Sequence, residues 1–223
     1  LVGCDAREIV FTSGATESNN LAIKGCLKSV SRPARIVTVN TEHRAVLDPC
    51  RQLENEGVCV TYVPPREDGL VDVNEIEKAL TPETVLLSVM TANNEIGVLQ
   101  PMAELSALAH RHSVLFHTDA TQAVGKVPFS ARALDVDLVS LTSHKIYGPK
   151  GVGALCVRRR RPRIPIKPML DGGGHENGLR SGTLNVPAIV GFGHAAELCI
   201  AEMTEETARI QTLRDHLWRE LSA

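Results

Sequence analysis

Short apolar runs of strand length alternate along the chain with longer segments in which apolar residues recur every three or four positions. The short runs predict β-strands at residues 8–12, 35–39, 58–63, 85–90, 114–117, 136–141 and 153–157. The longer segments predict helices at residues 16–30, 45–56, 73–80, 102–111 and 190–221, the last as one long helix or two in line. Strands that alternate with helices predict an α/β fold with a mostly parallel, doubly wound sheet flanked by helices.

The predicted strand at residues 153–157 follows its predecessor too closely for a helical crossover. A parallel neighbour needs a connection of a dozen or more residues, so we expect this strand to pair antiparallel. The pattern shows no internal boundary, which predicts one large domain over residues 1–223. Leu1 is not a methionine, and the apolar stripe of the last helix continues to Leu221, so we expect this domain to be incomplete at both ends.

The composition is that of a globular protein, with 43% hydrophobic and 22% charged residues. A net charge of -2 gives no support for a nucleic-acid or membrane surface, and the basic run at residues 158–161 is typical of a solvated loop. No segment is expected to be long and apolar enough to cross a membrane. The six cysteines form no C-x-x-C pair and fall mostly in apolar stretches, which predicts reduced, mostly buried thiols in a cytoplasmic protein.

Polar clusters follow five of the predicted strands at the points where those strands end. They lie at residues 12–16, 41–43, 93–95, 119–122 and 142–145. Ligands of open α/β sheets bind at the carboxyl ends of the strands, so several clusters on one edge predict a single pocket.

Three of these clusters contain residue types that suit a charged ligand. The turn at residues 13–16 opens a helix, where small residues and free N–H groups favour an anion, although Thr16 and Glu17 also suit an ordinary N-cap. Asp119 is predicted to be buried, and it then needs a positive partner such as a protonated pyridine nitrogen. Lys145 at a strand end suits a nucleophilic amine, but a surface lysine is the simpler interpretation. His117 and Asp119 could form half of a metal site, yet no third ligand has suitable spacing, so no metal is predicted.

Six motifs, in this order along nearly the whole chain, resemble those of one enzyme family. They are FTSGATESNN at 11–20, TEHRAVLD at 41–48, NNEIG at 93–97, HTDATQAVGK at 117–126, SHKIYGPKGVGAL at 143–155 and GGGHENGLRSGT at 172–183. The chain resembles the cysteine desulfurases, which belong to the class-V aminotransferase family of fold-type I enzymes that use pyridoxal 5'-phosphate (PLP). The resemblance covers most of the large, PLP-binding domain of that family.

The resemblance implies roles for five residues around the cofactor ring. Lys145 matches the lysine that holds PLP covalently, and Asp119 matches the carboxylate that pairs with the pyridinium nitrogen. Gln122 matches the donor to the ring hydroxyl. His43 matches an imidazole on the ring face that carries a proton, so Lys145 and His43 are the expected catalytic residues. Asn94 matches a residue near the ring hydroxyl and the substrate carboxylate.

The resemblance also implies how the phosphate is bound. Ala15, Thr16, Thr142 and His144 match the phosphate cradle. Thr183 matches a threonine that reaches the cofactor phosphate of a second subunit, which implies a homodimer with shared active sites.

The chain departs from the family pattern in three respects that concern the reaction. The family carries sulfur as a persulfide on a cysteine near a Ser-Gly-Ser-Ala-Cys string, and no such string occurs here. The arginine for the substrate carboxylate and the small second domain are expected to be missing as well. None of the cysteines present matches the persulfide position.

The resemblance implies that the parent protein releases sulfur from L-cysteine, leaving L-alanine and an enzyme persulfide. The sulfur is expected to go to iron-sulfur clusters or thio-cofactors through acceptor or scaffold proteins. A selenocysteine lyase is the alternative within the family. A non-catalytic PLP-binding scaffold is the alternative from another class, because it would explain the missing cysteine.

Overall fold

The computed structural model describes residues 1–30 and 33–222, and its centre is a seven-stranded sheet. The strands are β1 (Ile9–Thr12), β2 (Arg35–Val39), β3 (Cys59–Val63), β4 (Thr84–Ser88), β5 (Leu115–Asp119), β6 (Leu138–Thr142) and β7 (Gly153–Val157). Their order is β1-β7-β6-β5-β4-β2-β3. Of these seven described strands, only β7 runs antiparallel to its neighbours, which confirms both the mostly parallel sheet and the expected antiparallel strand.

In the described part of the chain, five α-helices flank the sheet: α1 (Ala15–Leu27), α2 (Arg44–Asn55), α3 (Val73–Ala79), α4 (Met102–Arg111) and α5 (Val186–Ser222). Helix α1 ends three residues earlier than predicted, at Leu27. Helix α5 is one unbroken helix that begins four residues before the predicted start. The other boundaries differ from the prediction by at most two residues, as expected where frayed ends leave little signal in the sequence.

The strands bury side chains on both faces of the sheet, in two separate clusters. Phe116 and Leu105 lie in the cluster that α4 and the first turns of α5 cover. Leu86 and Ile23 lie in the opposite cluster, under α1 and α2. Full burial of one such side chain contributes about 1.5–3 kcal/mol, so the two clusters hold the helices on both faces and the fold is doubly wound.

One expectation about the surface is wrong, and a second holds only in part. By length and composition alone, α5 could span a membrane, although a single helix of this kind is weak evidence for one. Many of its large apolar side chains are exposed, among them Leu217 and Trp218. The basic run is not fully solvated, because Arg158 pairs with the buried Glu8 at 3.6 Å and Arg160 with the buried Asp137 at 2.6 Å. These two arginines neutralise the buried carboxylates of Glu8 and Asp137.

The thiols are less buried than expected. Cys26, Cys50 and Cys156 are buried, Cys4 and Cys199 are half-buried, and Cys59 is exposed. All six are free. Three of the six cysteines are therefore buried as predicted, and Cys59 is exposed because it begins the edge strand β3.

Strand β7 packs backbone to backbone against the turn that starts α1. A side chain at Gly153 would place its Cβ 2.6 Å from Gly14 Cα and 2.7 Å from the carbonyl oxygen of Leu141. Neither neighbour is a flexible side chain that could move aside. The absence of a side chain at Gly153 therefore fixes how closely β7 approaches α1.

We predict that Gly153→Ala destabilises the protein by about 1–3 kcal/mol, the usual cost of overpacking. The measurement is the urea midpoint of unfolding. Gly193→Ala is the matched control, since it adds the same methyl group on α5, where no described atom lies within 4 Å apart from its chain neighbours and the nearby helix backbone. The control should be neutral or stabilising, by up to about 1 kcal/mol, because alanine favours helix. Equal midpoints for the two variants would contradict the packing argument.

Candidate active site

A cavity of about 550 Å³ opens at the carboxyl edge of the parallel strands, where the sequence placed its polar clusters. This volume suits a small organic ligand. Every predicted cofactor residue except Thr183 lines it: Ala15, Thr16, His43, Asn94, Asp119, Gln122, Thr142, His144 and Lys145. The structure therefore brings together residues that are up to 130 positions apart, from Ala15 to Lys145.

One wall of the cavity is the first turn of α1. Its N-cap is Gly14, with φ 154° and no capping side chain, so no side chain of the cap covers the N–H groups of the first turn. Thr16 does not cap the helix, while Glu17 reaches back to accept from the N–H of Ser13 at 2.7 Å. An uncapped helix start beside a cavity favours an anionic ligand group.

Thr142 and His144 stand across from this helix start. The hydroxyl of Thr142 donates to the carbonyl of Val152 at 3.2 Å, so its oxygen accepts from Nδ1 of His144 at 3.1 Å. The Nε2 of His144 is then the acceptor of the neutral ring. Burial, followed by the charges of Lys145 and Lys150, lowers the pKa of His144. Both lysines line the cavity, which gives this side of it a positive potential.

Asp119 forms the buried floor of the cavity. It is 5% exposed, and its carboxylate accepts from Nδ2 of Asn19 at 2.7 Å and from the N–H of Thr121 at 2.9 Å. Within residues 1–30 and 33–222, Asp119 has no ion pair with a cationic side chain. Two neutral donors only partly compensate a buried carboxylate, so this end of the cavity favours a ligand with a cationic group.

Sequence reasoning missed two residues near the buried carboxylate of Asp119. Asn19 donates a hydrogen bond to it, and Glu42 lies close enough for the charge of Asp119 to act on it. Asn19 is fully buried on α1, on the face that carries Ala22 and Ile23. A polar residue on a predicted apolar helix face was the signal that could have identified it. Burial, followed by the nearby Asp119 charge, raises the pKa of Glu42 well above its usual range. Glu42 accepts from the N–H of Met90 at 2.5 Å, and nothing in the motif that contains it indicated this burial.

His43 is the N-cap residue of α2. Its Nδ1 accepts from the N–H of Ala45 at 3.0 Å, so the proton of the neutral ring resides on Nε2. The helix cap fixes the orientation of the ring, while the side chain remains exposed at the cavity rim. The imidazole can therefore exchange a proton with a ligand through Nε2.

Gln122 is held by a residue that the sequence analysis did not select. The ammonium of Lys126 donates to its Oε1 at 2.5 Å, which leaves the Nε2 amide as the free donor. Burial, followed by the charge of Lys145, lowers the pKa of Lys126. Gln122 therefore presents an amide donor, held in one orientation, to the cavity.

Thr183 lies outside the cavity and is exposed. The motif that contains it is nevertheless tied to the site, because Nε of Arg180 pairs with Oε1 of Glu17 at 2.9 Å. The N–H of Phe11 donates to Glu176 of the same motif at 2.7 Å. The role of Thr183 toward a second subunit stays a prediction.

His117 does not open into the cavity. Its Nδ1 lies 2.8 Å from the hydroxyl of Ser88, and its Nε2 lies 3.0 Å from the hydroxyl of Ser140. Burial lowers the pKa of His117 to about 3. The ring is therefore a neutral core residue that bridges β4 and β6.

None of the six cysteines, all within the described part of the chain, lines the cavity. Cys50 lies two residues after the motif at 41–48, but it is fully buried in α2. Burial, followed by the charges of Glu42 and Glu54, raises the pKa of Cys50 to about 12. A thiol in that environment is a poor nucleophile at neutral pH.

Comparisons with known proteins extend over nearly the whole chain. A family model described as aminotransferase class-V matches residues 1–223. The chain is 54% identical over 222 residues to a protein named cysteine desulfurase IscS from Mannheimia succiniciproducens, covering 99% of this chain and 55% of the relative. The chain thus spans about half the length of the curated relatives it matches.

Solved structures show the same likeness. A NifS-like protein superimposes with a TM-score of 0.94 at 41% identity, over 98% of this chain and 60% of its own. A structure described as SspA in complex with cysteine gives a TM-score of 0.82 at 44% identity, over 86% of this chain and 55% of its own. The likeness therefore concerns the sheet, its helices and the cavity edge together, and not a single motif.

Proposed function

Since the chain belongs to the class-V aminotransferase family, we propose that its cavity holds PLP and that the whole protein is a cysteine desulfurase. The proposal rests above all on Asp119, a buried carboxylate with no cationic side chain paired to it among the described residues. A protonated pyridine nitrogen is a cation of the right kind for this position. The uncapped start of α1 in the same cavity suits the phosphate of the same molecule.

The residues of the cavity fit PLP group by group. Asp119 would hold the ring nitrogen, and Lys145 would supply the amine that binds the cofactor covalently. Ala15 and Thr16 at the helix start would hold the phosphate, together with Thr142 and His144. Gln122 and Asn94 would serve the ring hydroxyl. The hydroxyl oxygen of Thr121 also fits a bound ligand, since it lines the cavity and is buried without a partner among the described residues.

When bound, PLP supplies an electron sink for the electron pair released at the substrate α-carbon. The chain's own residues prepare that chemistry. The buried charge of Asp119 favours a protonated partner, because burial strengthens its electrostatic interactions. Lys145 and His43 both line the cavity and would move a proton at the α-carbon, His43 through its Nε2. The fixed amide of Gln122 orients the ligand.

Sulfur release needs a nucleophile placed near the substrate sulfur. Because no cysteine of the described chain lines the cavity, we propose that the thiol that accepts the sulfur, and the small domain expected to carry it, belong to the remainder of the whole protein. L-cysteine as the substrate is supported by the similar structure described in complex with cysteine. Iron-sulfur clusters or thio-cofactors are the proposed destinations of the sulfur, through acceptor or scaffold proteins in the cytoplasm.

A non-catalytic PLP-binding scaffold is the second candidate, and the cavity without a cysteine favours it. The scaffold and the enzyme predict the same cofactor site but different behaviour of the full-length protein. A selenocysteine lyase differs from both in preferring selenocysteine over cysteine.

We predict that borohydride reduction fixes PLP to Lys145, because this amine lines the cavity beside the phosphate site. Peptide mapping after reduction identifies the labelled lysine. Lys150 lines the same cavity and Lys126 contacts Gln122, so Lys150→Ala and Lys126→Ala serve as controls that should retain the label. Lys145→Ala should lose it. A label on Lys150 or Lys126 in the unmodified protein would contradict the assignment.

We predict that the 223-residue chain, loaded with PLP, changes its absorbance spectrum when L-cysteine is added but releases no sulfide above the rate of free PLP. The physical reason is that the electron sink belongs to the cofactor, whereas the sulfur acceptor must be a placed thiol. A sulfide assay with dithiothreitol measures the release. The full-length protein is the comparison, and it should turn over repeatedly. An inactive full-length protein with bound PLP would favour the scaffold instead.

We propose a homodimer in which Thr183 reaches the phosphate site of the second subunit, since Thr183 is exposed and lies outside its own cavity. The full-length Thr183→Ala dimer should bind PLP about tenfold more weakly, as expected for one lost hydrogen bond to a charged group. A mixed dimer of Thr183→Ala with Lys145→Ala subunits tests the sharing. Its one intact Lys145 faces the intact Thr183 of the other subunit, so that site should regain the affinity of the unmodified protein. Weak binding in the mixed dimer would show that Thr183 acts within its own subunit.

A further inference from the structure

We propose that Cys4 and Cys156 form a dithiol site that hydroperoxides convert into a disulfide, near the first residues of β1 and β6 and away from the carboxyl ends of the parallel strands, where the cavity lies. The two residues are far apart in sequence, but their sulfur atoms and a carboxylate oxygen of Glu8 lie within 4.8 Å of one another. This site goes beyond the proposed function and does not depend on it.

The segment around Cys4 is held in place from both sides. The N–H of Ala131 donates to the carbonyl of Val2 at 2.9 Å. Gly3 adopts the left-handed φ of 65°, and a Cβ there would collide with Ser130 at 2.2 Å. On the other side, the N–H of Asp5 donates to Glu8 at 2.7 Å. Cys4 is therefore presented to its partner by a fixed backbone, which is the condition for efficient bond formation between two thiols.

The two sulfurs differ in access. Cys156 is fully buried in β7, where its Cα pairs with Ile9 on one side and Val139 on the other. Cys4 is half-buried and lines a surface pocket of about 420 Å³ beside Ser130. A small oxidant can reach the sulfur of Cys4 from this pocket, while Cys156 can react only with its neighbour.

A metal ion suits this cluster less well than thiol chemistry. Oε2 of Glu8 already accepts from the N–H of Asp5, and Oε1 accepts from the N–H of Arg159 at 2.7 Å. The guanidinium of Arg158 stands 3.6 Å from Oε1 of the same carboxylate. Binding of a cation would break these hydrogen bonds of Glu8, and the positive charge of Arg158 would repel the cation.

The electrostatics assign the two thiols different roles. The hydrogen bond from the Cys156 thiol lowers the pKa of Cys4, and Arg158 acts in the same direction, against burial and Glu8. Donating that hydrogen bond raises the pKa of Cys156, and burial adds to the effect. The thiolate therefore forms first at the accessible sulfur, and the proton stays on the buried one.

The reaction follows in two balanced steps. The Cys4 thiolate attacks one oxygen of hydrogen peroxide, the O–O bond breaks, and the leaving hydroxide takes a proton to become water. The sulfur of Cys156 then attacks the Cys4 sulfenic acid. The S–O bond breaks, and the departing hydroxide takes the Cys156 proton to give a second water. The two thiols lose two electrons in total, and the peroxide gains them.

Peptide mapping of the full-length protein tests the site. The reduced protein is treated with hydrogen peroxide, its remaining thiols are alkylated, and it is digested with trypsin without reductant. Cys4 lies in a peptide that ends at Arg7, and Cys156 lies in residues 151–158. We expect these two peptides to appear linked and to separate on reduction. We also expect Cys4 to react about tenfold faster than the exposed Cys59, because its thiolate is favoured.

Three variants complete the test. In Cys156→Ser, or Cys156→Ala if the buried serine unfolds the protein, dimedone should trap a sulfenic acid on Cys4. In Cys4→Ser, no adduct should form on Cys156. Cys59→Ser should leave the linked peptides unchanged. The proposal is overturned if Cys59 oxidises and no linked pair forms, or if Cys156 reacts as fast without Cys4.

Discussion

The hydrogen bond between Asn19 and Asp119 is the interaction on which the site depends. It joins the buried face of α1 to the last residue of β5, at 2.7 Å and away from water. Through it, the helix whose first turn faces the cavity is fastened to the middle of the sheet. The two hydrogen bonds of this buried carboxylate compensate only part of the cost of its burial when no ligand is bound. The same hydrogen bond therefore fixes α1 against the sheet and holds a buried negative charge where a cationic group of a ligand would be favoured.

Periodicity predicted the fold well because it depends on burial, which alternating and helical patterns report directly. The strand at 153–157 could be oriented from connection length alone, and its antiparallel pairing is observed. The cavity edge could be predicted because parallel strands end on the same side of a sheet. The exposure of the apolar side chains of α5 was not predicted, because it depends on what else packs against that helix.

Side-chain partners at the site were the part that sequence could not supply. Asn19, Glu42 and Lys126 act through neighbours that are distant in sequence or hidden by burial, and no local pattern specifies those neighbours. The pairing of Arg158 with Glu8 was missed for the same reason, since a basic run alone is typical of a solvated loop. The motifs located the cavity, while the geometry showed how its residues hold one another. The reason is physical. The pattern of apolar residues along the chain reports which positions are buried, but the partner of a charged side chain is determined only by the three-dimensional structure.

Among the strands of the described residues, β1 pairs only with β7, and Ile9 lies opposite Cys156 in that ladder. During synthesis, β1 is the earliest of these seven strands to emerge from the ribosome, and it must wait for β7, which emerges after the other six. At usual elongation rates that wait is on the order of ten seconds. Throughout it, β1 has no ladder partner, and α1 has emerged before the strands β6 and β7 that it packs against. A nascent chain of this fold thus completes the wall of the cavity that α1 forms only after β6 and β7 have joined the sheet, which makes that wall a late product of translation.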